Sequence, residues 1–416
     1  MWLLLACVVD PQNPENDSPA DSWDLSDSWP EVSTEEVPGV DFDGVCQLRM
    51  DCAETIPDEP KITCELEVAN AEGLVFYSGP AGVETRGRSS SAFPKQQFSV
   101  ELRSEAGVEQ DVDLLGMGAE SDWVLNGAWI DRALLRNHLA YGLFQGFGGP
   151  ERYAPESRTC WMELNGQPWG IYFLVERIKR AEPRIDLQPT DSFVMKLNDS
   201  GGIQSNEPVG HGTWKVVYPK DPDSARTAEL QAWVQGWQQA ILNDPDQMWA
   251  YLDQDSAIDF VILQELMKNN DAYYLSVHLW KDAGGLAHFT PWDLDLTLGQ
   301  PTYNNNVSPE EWVLYRPAWV AQMAASEGFS EALAARWFEL RQGSLSEDAL
   351  LERIEAQWAL MGDELVAQNF EVWPWEEIDF LGGYLPVVED YATEQDNIRA
   401  WVPARLAWMD ENIDSW

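Results

Sequence analysis

The spacing of apolar residues changes once along this chain, near residue 220, and that change limits the possible folds more than any other feature. Upstream, apolar residues recur at every second position: Phe98, Val100 and Leu102 in QQFSVELR, with the same alternating character in CELEVAN and GLVFYSG. A period of two puts side chains on alternate faces of a half-buried strand. CWMELNG and WGIYFLVER add two strands joined by Asn165-Gly166, the dipeptide most favourable for a tight hairpin, and FVMKL at 193–197 adds another. Downstream, RTAELQAWVQGWQQAIL and SAIDFVILQELMKNN carry apolar residues three and four apart, the helical period, and the regions Glu331 to Leu340 and Ala400 to Asn412 continue it.

Two segments depart from this division. A helix is predicted over Asp131 to Phe144, with Leu134, Leu135, Leu139 and Leu143 on one side and Asp131 placed to cap its start. In the helical half, LSVHLWKD and GLAHFTPWDLD read as two short strands around Ala283-Gly284-Gly285. The expectation is an α+β, two-lobed fold: a β-rich lobe over 46–220, a mainly helical lobe over 221–416, and a cleft between them where a ligand would bind.

Residues 8–45 hold eleven Asp or Glu, no Lys or Arg, and many Ser and Pro, so they read as an acidic disordered tether. Ahead of them, MWLLLAC is an apolar run ending in Leu-Ala-Cys, as in a partial lipoprotein signal acylated at Cys7. That run is too short to span a bilayer, and no later segment offers the about 18 uninterrupted apolar residues of a membrane helix. The chain is therefore expected outside the cytoplasm, secreted or lipid-anchored at the bacterial cell envelope, touching membrane only through that anchor.

Four further cysteines remain: Cys46, Cys52, Cys64 and Cys160. An even count in an exported chain suggests disulfides, and three pairings are possible. Their spacings contain no CxxC and no nearby His pair, which argues against zinc. With 71 acidic against 26 basic residues, the formal charge is −45. Such a field repels phosphate backbones and anionic lipid, so nucleic acid is excluded and a cation or a basic protein is the better partner.

The densest polar cluster is KNNDAYYLS at 268–276 followed by TPWDLDLTLG at 290–299. Asp271 follows a helix end marked by two Asn, whereas Asp293 and Asp295 follow a buried-looking strand of the hairpin. Acidic residues flanking one hairpin can converge. Carboxylates at Asp293 and Asp295 suit a hard cation that keeps positions for phosphate oxygens, which leaves Asp271 to orient or accept a proton from an attacking hydroxyl.

These blocks, together with RGRSSSAFPKQQFSVELR, DWVLNGAWIDRALLRNHLAYGLF and LNGQPWGIYFLVERIKR upstream, occur in the order found in the spore-coat CotH family of atypical protein kinases, which the chain resembles over about residues 60–415. The late segments ARWFELRQGSLS and IRAWVPARLAWMD extend the likeness. The resemblance implies transfer of the ATP γ-phosphate, with Mg²⁺ or Mn²⁺, to Ser or Thr of a secreted or envelope protein, here expected to be basic and Ser-rich. It implies that Asp271 is the catalytic-loop aspartate and Asp293 a metal ligand, with Asp295 a weaker match.

Ordinary kinases place a second metal-holding Asn five positions after the catalytic Asp. Ser276 stands there in this chain, so its hydroxyl or Asn270 would have to substitute. Lys95, after the RGRSSS run, matches the family's basic strand residue and would contact phosphate; Lys196 in VMKL competes for that role. Arg86 and Arg88 would support a loop that has Gly87 but no GxGxxG, and Glu176 in FLVER is the expected carboxylate partner of the lysine. Arg136 and Asn137 are expected to orient their helix against the cleft, and no role is assigned to His138, His278 or His288. The alternative is a non-catalytic surface module that keeps the scaffold for adhesion.

Overall fold

The computed structural model describes residues 44–88, 90–148, 152–198, 202–205, 212–300, 307–313, 316–375 and 388–416. Cys7 and residues 8–43 of the expected tether lie outside them.

The alternating N-terminal segments form β1 (Cys46–Cys52), β2 (Ile62–Ala69), β3 (Val75–Arg86), β4 (Gln97–Leu102), the short β5 (Val112–Asp113) and β6 (Ala119–Glu120), then β7 (Asp122–Asn126). After α1 (Arg136–Gly146) come β8 (Ser157–Leu164) and β9 (Gln167–Glu176). Seven of these strands close a barrel in the order β1-β2-β3-β4-β7-β9-β8, sealed by parallel pairing of β1 with β8. Its interior holds Leu48, Leu66, Val83, Phe98, Val100, Trp123 and Leu174, the inward members of the two-residue period.

Both disulfides lie across barrel pairs. Cys46 sits in register with Cys160 on β8, Cys52 faces Cys64 on β2, and each pair is bonded. Two disulfides fit an oxidising, extracytoplasmic setting. Among the described residues no helix is long and apolar enough to cross a membrane.

The second sheet has five strands, ordered β11-β12-β10-β13-β14, from β10 (Phe193–Asn198), β11 (Ile203–Ser205), β12 (Gly212–Tyr218), β13 (His278–Lys281) and β14 (Ala287–Thr290). It draws strands from both sides of residue 220, because the hairpin embedded in the helical half pairs with FVMKL through Lys196↔His278. The two expected lobes are corrected here: the N-terminal strands form a closed barrel, and the described residues from Gly44 onward fall in one compact unit. Pattern reading finds strands but not their pairing, and closure depends on the β1–β8 contact, more than a hundred residues apart in sequence.

Of helices α2 (Ser224–Asn243), α3 (Gln254–Met267), α4 (Ala318–Ala325), α5 (Phe329–Arg341), α6 (Glu347–Val372) and α7 (Tyr391–Asn412), α2 packs on β11 and α3 on β14 of this sheet, α6 packs on β9 of the barrel, and α5 and α7 pack on α3. Every residue of α3 from Ser256 to Met267 is buried, so it is the central pillar and shows no polar face. The expected helix from Asp131 begins five residues later. Asp131 still serves its start, its Oδ2 accepting from the N–H groups of Leu135 (2.9 Å) and Arg136 (2.7 Å). The intervening chain turns through Leu134 at φ +52°.

Candidate functional site

The site is assembled where α3 ends and the hairpin returns. Lys268 takes a left-handed conformation (φ 48°) that ends α3 and turns the chain into Asn269–Asp271. Asp271 is half-buried, and its N–H donates to Asn269 Oδ1 at 3.1 Å. Asn270 is buried; its N–H donates to Leu296 O at 3.3 Å, and its Nδ2 has no partner among the described residues.

Across the hairpin, Asp293 (φ 67°) and Ser276 (φ 59°) both hold left-handed backbone, as does Tyr273 (φ 64°). Such conformations cost non-glycine residues free energy and persist where surrounding contacts fix them. Here those contacts come from α1: Asp293 N donates to Tyr141 Oη (3.3 Å) and Leu294 N to Asn137 Oδ1 (2.6 Å). Asp293 Oδ2 in turn accepts from Ser276 Oγ at 3.1 Å.

Asp295 keeps part of its surface open, yet its carboxyl is set deep enough that desolvation pushes its pKa well above the usual carboxylate range. The charges of Asp293, Asp131 and Asp271 push it further, and Arg136 opposes them. Asp295 thus lies within electrostatic reach of Asp293 and Asp271, and of Asp131. Among the described residues, however, no three His, Cys, Asp or Glu side chains form a ready-made metal cage.

Beside Asp293 opens a cleft of about 530 Å³ between the barrel and the five-stranded sheet. Of the chain's 26 Lys and Arg, eight line it: Lys61, Arg86, Arg177, Lys179, Arg180, Lys196, Lys215 and Lys220. Some are compensated, Lys61 by Glu101 (2.9 Å) and Lys179 by Glu120 and Asp122 (2.8 and 2.7 Å). Lys215 and Lys220 have no carboxylate partner among the described residues.

Lys196 sits directly between Lys215 on β12 and His278 on β13, in one cross-strand row. Like charges opposed across strands are destabilising. Desolvation lowers the Lys196 pKa, and only the charge of Asp293 works against it. Arg86 lies over the Trp292 ring at 5.2 Å, its Nη1 buried without a partner among the described residues. Burial lowers its pKa to about 10, so it stays protonated at neutral pH. His278 is held neutral by burial and then by the charge of Lys196, with Nδ1 3.0 Å from Ser276 O.

Not every expected residue is here. Lys95, favoured in the sequence over Lys196, is buried where the barrel meets α6, and Nζ donates to Ile171 O (2.7 Å) and Asn369 Oδ1 (2.9 Å). It does not line the cleft, and burial lowers its pKa to about 7. Glu176 lies apart from it, accepting from Glu156 N (3.0 Å) and Tyr153 Oη (3.1 Å) with Arg184 Nε at 3.8 Å. Burial raises its pKa to about 7. Arg88 is exposed and also outside the cleft lining. Sequence reading missed the basic group Arg177, Lys179, Arg180, Lys215 and Lys220. Its one signal was the concentration of cations in ERIKR and at 215–220 of a chain poor in them.

The carboxyls around Asp295 thus lie beside a cation-lined cleft on a mixed α+β scaffold. A family comparison narrows this further. The family described as CotH kinase protein matches residues 83–409, most of the chain, and the chain belongs to the CotH family. A search of curated proteins found no match.

Proposed function

We propose that the chain is an extracytoplasmic phosphotransferase that moves the ATP γ-phosphate, with Mg²⁺ or Mn²⁺, to a Ser or Thr hydroxyl of a secreted or envelope protein. The observation that carries this reading is the junction at Asp293 between mutually repelling carboxylates and an uncompensated row of cations.

The donor set fits the cation. Asp293 and Asp295 would hold it, with Ser276 Oγ bonded to Asp293 and Asn270 at the edge of the cluster. Two carboxylates without a complete cage suit Mg²⁺, which normally takes its remaining ligands from water and substrate phosphate. When bound, such an ion supplies neutralisation of charge on phosphate oxygens. Arg86 and Lys196 bind the phosphates from the cleft side, Arg86 through the Nη1 left without a partner. Trp292 braces that guanidinium, and Lys215 and Lys220 add positive potential. Asp271 orients the acceptor hydroxyl and takes its proton, with little covalent work left to the protein. Lys196 takes the phosphate role here, since Lys95 is committed to the barrel–α6 contact.

The strongly acidic chain suits a basic, Ser-rich acceptor protein. Attachment through an acylated Cys7 belongs to the same proposal. The test is thermal unfolding with ATP and Mg²⁺ or Mn²⁺, followed by labelled-ATP transfer to a basic Ser-containing acceptor. Stabilisation and transfer that both vanish in Asp293→Ala, with the variant still folded, are expected. No stabilisation at millimolar nucleotide would favour a non-catalytic surface module, and stabilisation by metal alone would recast the acidic group as a structural cation site.

A further inference from the structure

A second cavity, of about 760 Å³, opens on the adjacent face of α1. It lies within the size range of small-molecule pockets. Its apolar wall comes from Leu135, Leu139 and Leu360, the last an exposed leucine on α6. Its polar side carries Arg158 and Arg353. Arg158 Nη2 is paired with Glu156 at 3.2 Å. Arg353 is exposed and has neither a hydrogen-bond nor a carboxylate partner among the described residues. Its guanidinium lies over Gly142, where an added Cβ would stand 3.2 Å from Nη1. His138 also lines the cavity, with Nδ1 2.8 Å from Ser157 Oγ. Burial, then the charges of Arg158 and Arg353, holds it neutral.

The cavity therefore offers one uncompensated positive charge beside an apolar wall. We infer that this cavity is a binding site for an organic monoanion with an apolar body, a carboxylate that pairs with Arg353 while its chain packs on Leu135, Leu139 and Leu360. A phosphate dianion fits less well, because Glu156 already neutralises Arg158. Tyr141 also lines this cavity, and its hydroxyl accepts from Asp293 N. Asn137, next to His138, holds Leu294 N. Ligand packed against α1 thus bears on the backbone that positions Asp293, and its effect on nucleotide rests on the proposed function.

Calorimetric titration of the full chain with sodium decanoate tests the site without using nucleotide. One-to-one binding is expected, with affinity reduced about tenfold or more in Arg353→Ala through loss of a charge-assisted bond. Gly142→Leu should abolish it, with an unchanged unfolding midpoint showing that the fold survives, and inorganic phosphate should not compete. Absence of binding to the wild-type protein, equal affinity in both variants, or competition by phosphate would each overturn the assignment. Nucleotide affinity is then measured with and without saturating decanoate. If both ligands bind and neither changes the other's affinity, the coupling through Tyr141 is refuted. Decanoate binding to a protein that binds no nucleotide would sink the proposed function and leave this site standing.

Discussion

Lys95 and Lys196 compete in the sequence for one role, and their surroundings predict opposite responses to the same substitution. Lys196→Met removes a cation from the cleft row that faces Asp293. Loss of one charge-assisted bond to phosphate costs about 1.5–3 kcal/mol, so Mg²⁺-nucleotide affinity should fall roughly 10- to 150-fold. Stability without ligand should hold or rise, because the repulsion with Lys215 is gone. Lys95→Met should leave nucleotide affinity within roughly twofold and lower stability instead, since Ile171 O loses its buried donor at a cost of about 1–3 kcal/mol. The pH dependence sharpens the contrast. The folded pKa of Lys95, about 7, lies below that of the unfolded chain, so the unfolded state binds more protons above pH 7. Wild-type stability should therefore rise with pH from about 7 towards 10, by at most about 1.4 kcal/mol per unit, a slope that Lys95→Met removes. Urea unfolding between pH 6.5 and 9.5 and calorimetric titration with a non-hydrolysable ATP analogue read both quantities. Folded Lys95→Met protein that has lost nucleotide binding, or Lys196→Met protein that binds as wild type, would refute the reasoning.

Three further outcomes follow from charge. Arg136 bridges Asp131 (2.7 Å) and Glu394 (2.5 Å) with no exposure, so Arg136→Met should destabilise by about 3–5 kcal/mol in urea unfolding, and a loss below 1 kcal/mol would mean the pair is hydrated. The folded pKa of Glu176, about 7, lies above that of a free carboxyl, so its contribution to stability is complete below about pH 4.5 and is lost as pH rises through 7. Glu176→Gln should flatten that decline, and an unaltered stability profile between pH 5 and 7.5 would contradict the burial argument. Nucleotide affinity should fall as NaCl rises from 0.1 to 0.5 M, because exposed cleft cations such as Lys220 are screened at a Debye length of about 10 Å or less; a flat salt series would exclude a charge-driven cleft.

How legible the molecule was depends on whether a feature is local. The two-residue period located β2, β3 and β4, the Asn165-Gly166 turn located β8 and β9, and the helical period located α2, α3, α5 and the end of α7, because each of these signals is local. Barrel closure was not legible: the parallel β1–β8 pairing joins segments more than a hundred positions apart, and β7 is a five-residue strand buried between two neighbours with no alternation to mark it. Asp271, Asp293, Asp295 and Ser276 stand out as candidates in the sequence because they flank one hairpin. Lys215 reached the site only through its register with Lys196, which no local pattern specifies. Lys95 shows the converse. Its place after RGRSSS suggested phosphate, but its environment is set by Asn369, 274 residues away in sequence.

Three separate costs meet around Asp293. Ser276 and Asp293 carry left-handed backbone, Asp295 is crowded by three other carboxyls, and Lys196 is set against Lys215 in adjacent strands. A polyanion alone would relieve the lysine row and worsen the crowding of carboxylates. A divalent cation alone would do the reverse. On the proposed function, a ligand that brings both charges together, such as a metal-bound triphosphate, would relieve both sides at once. On this reasoning metal and nucleotide should bind with positive coupling, each tightening the other by the same factor.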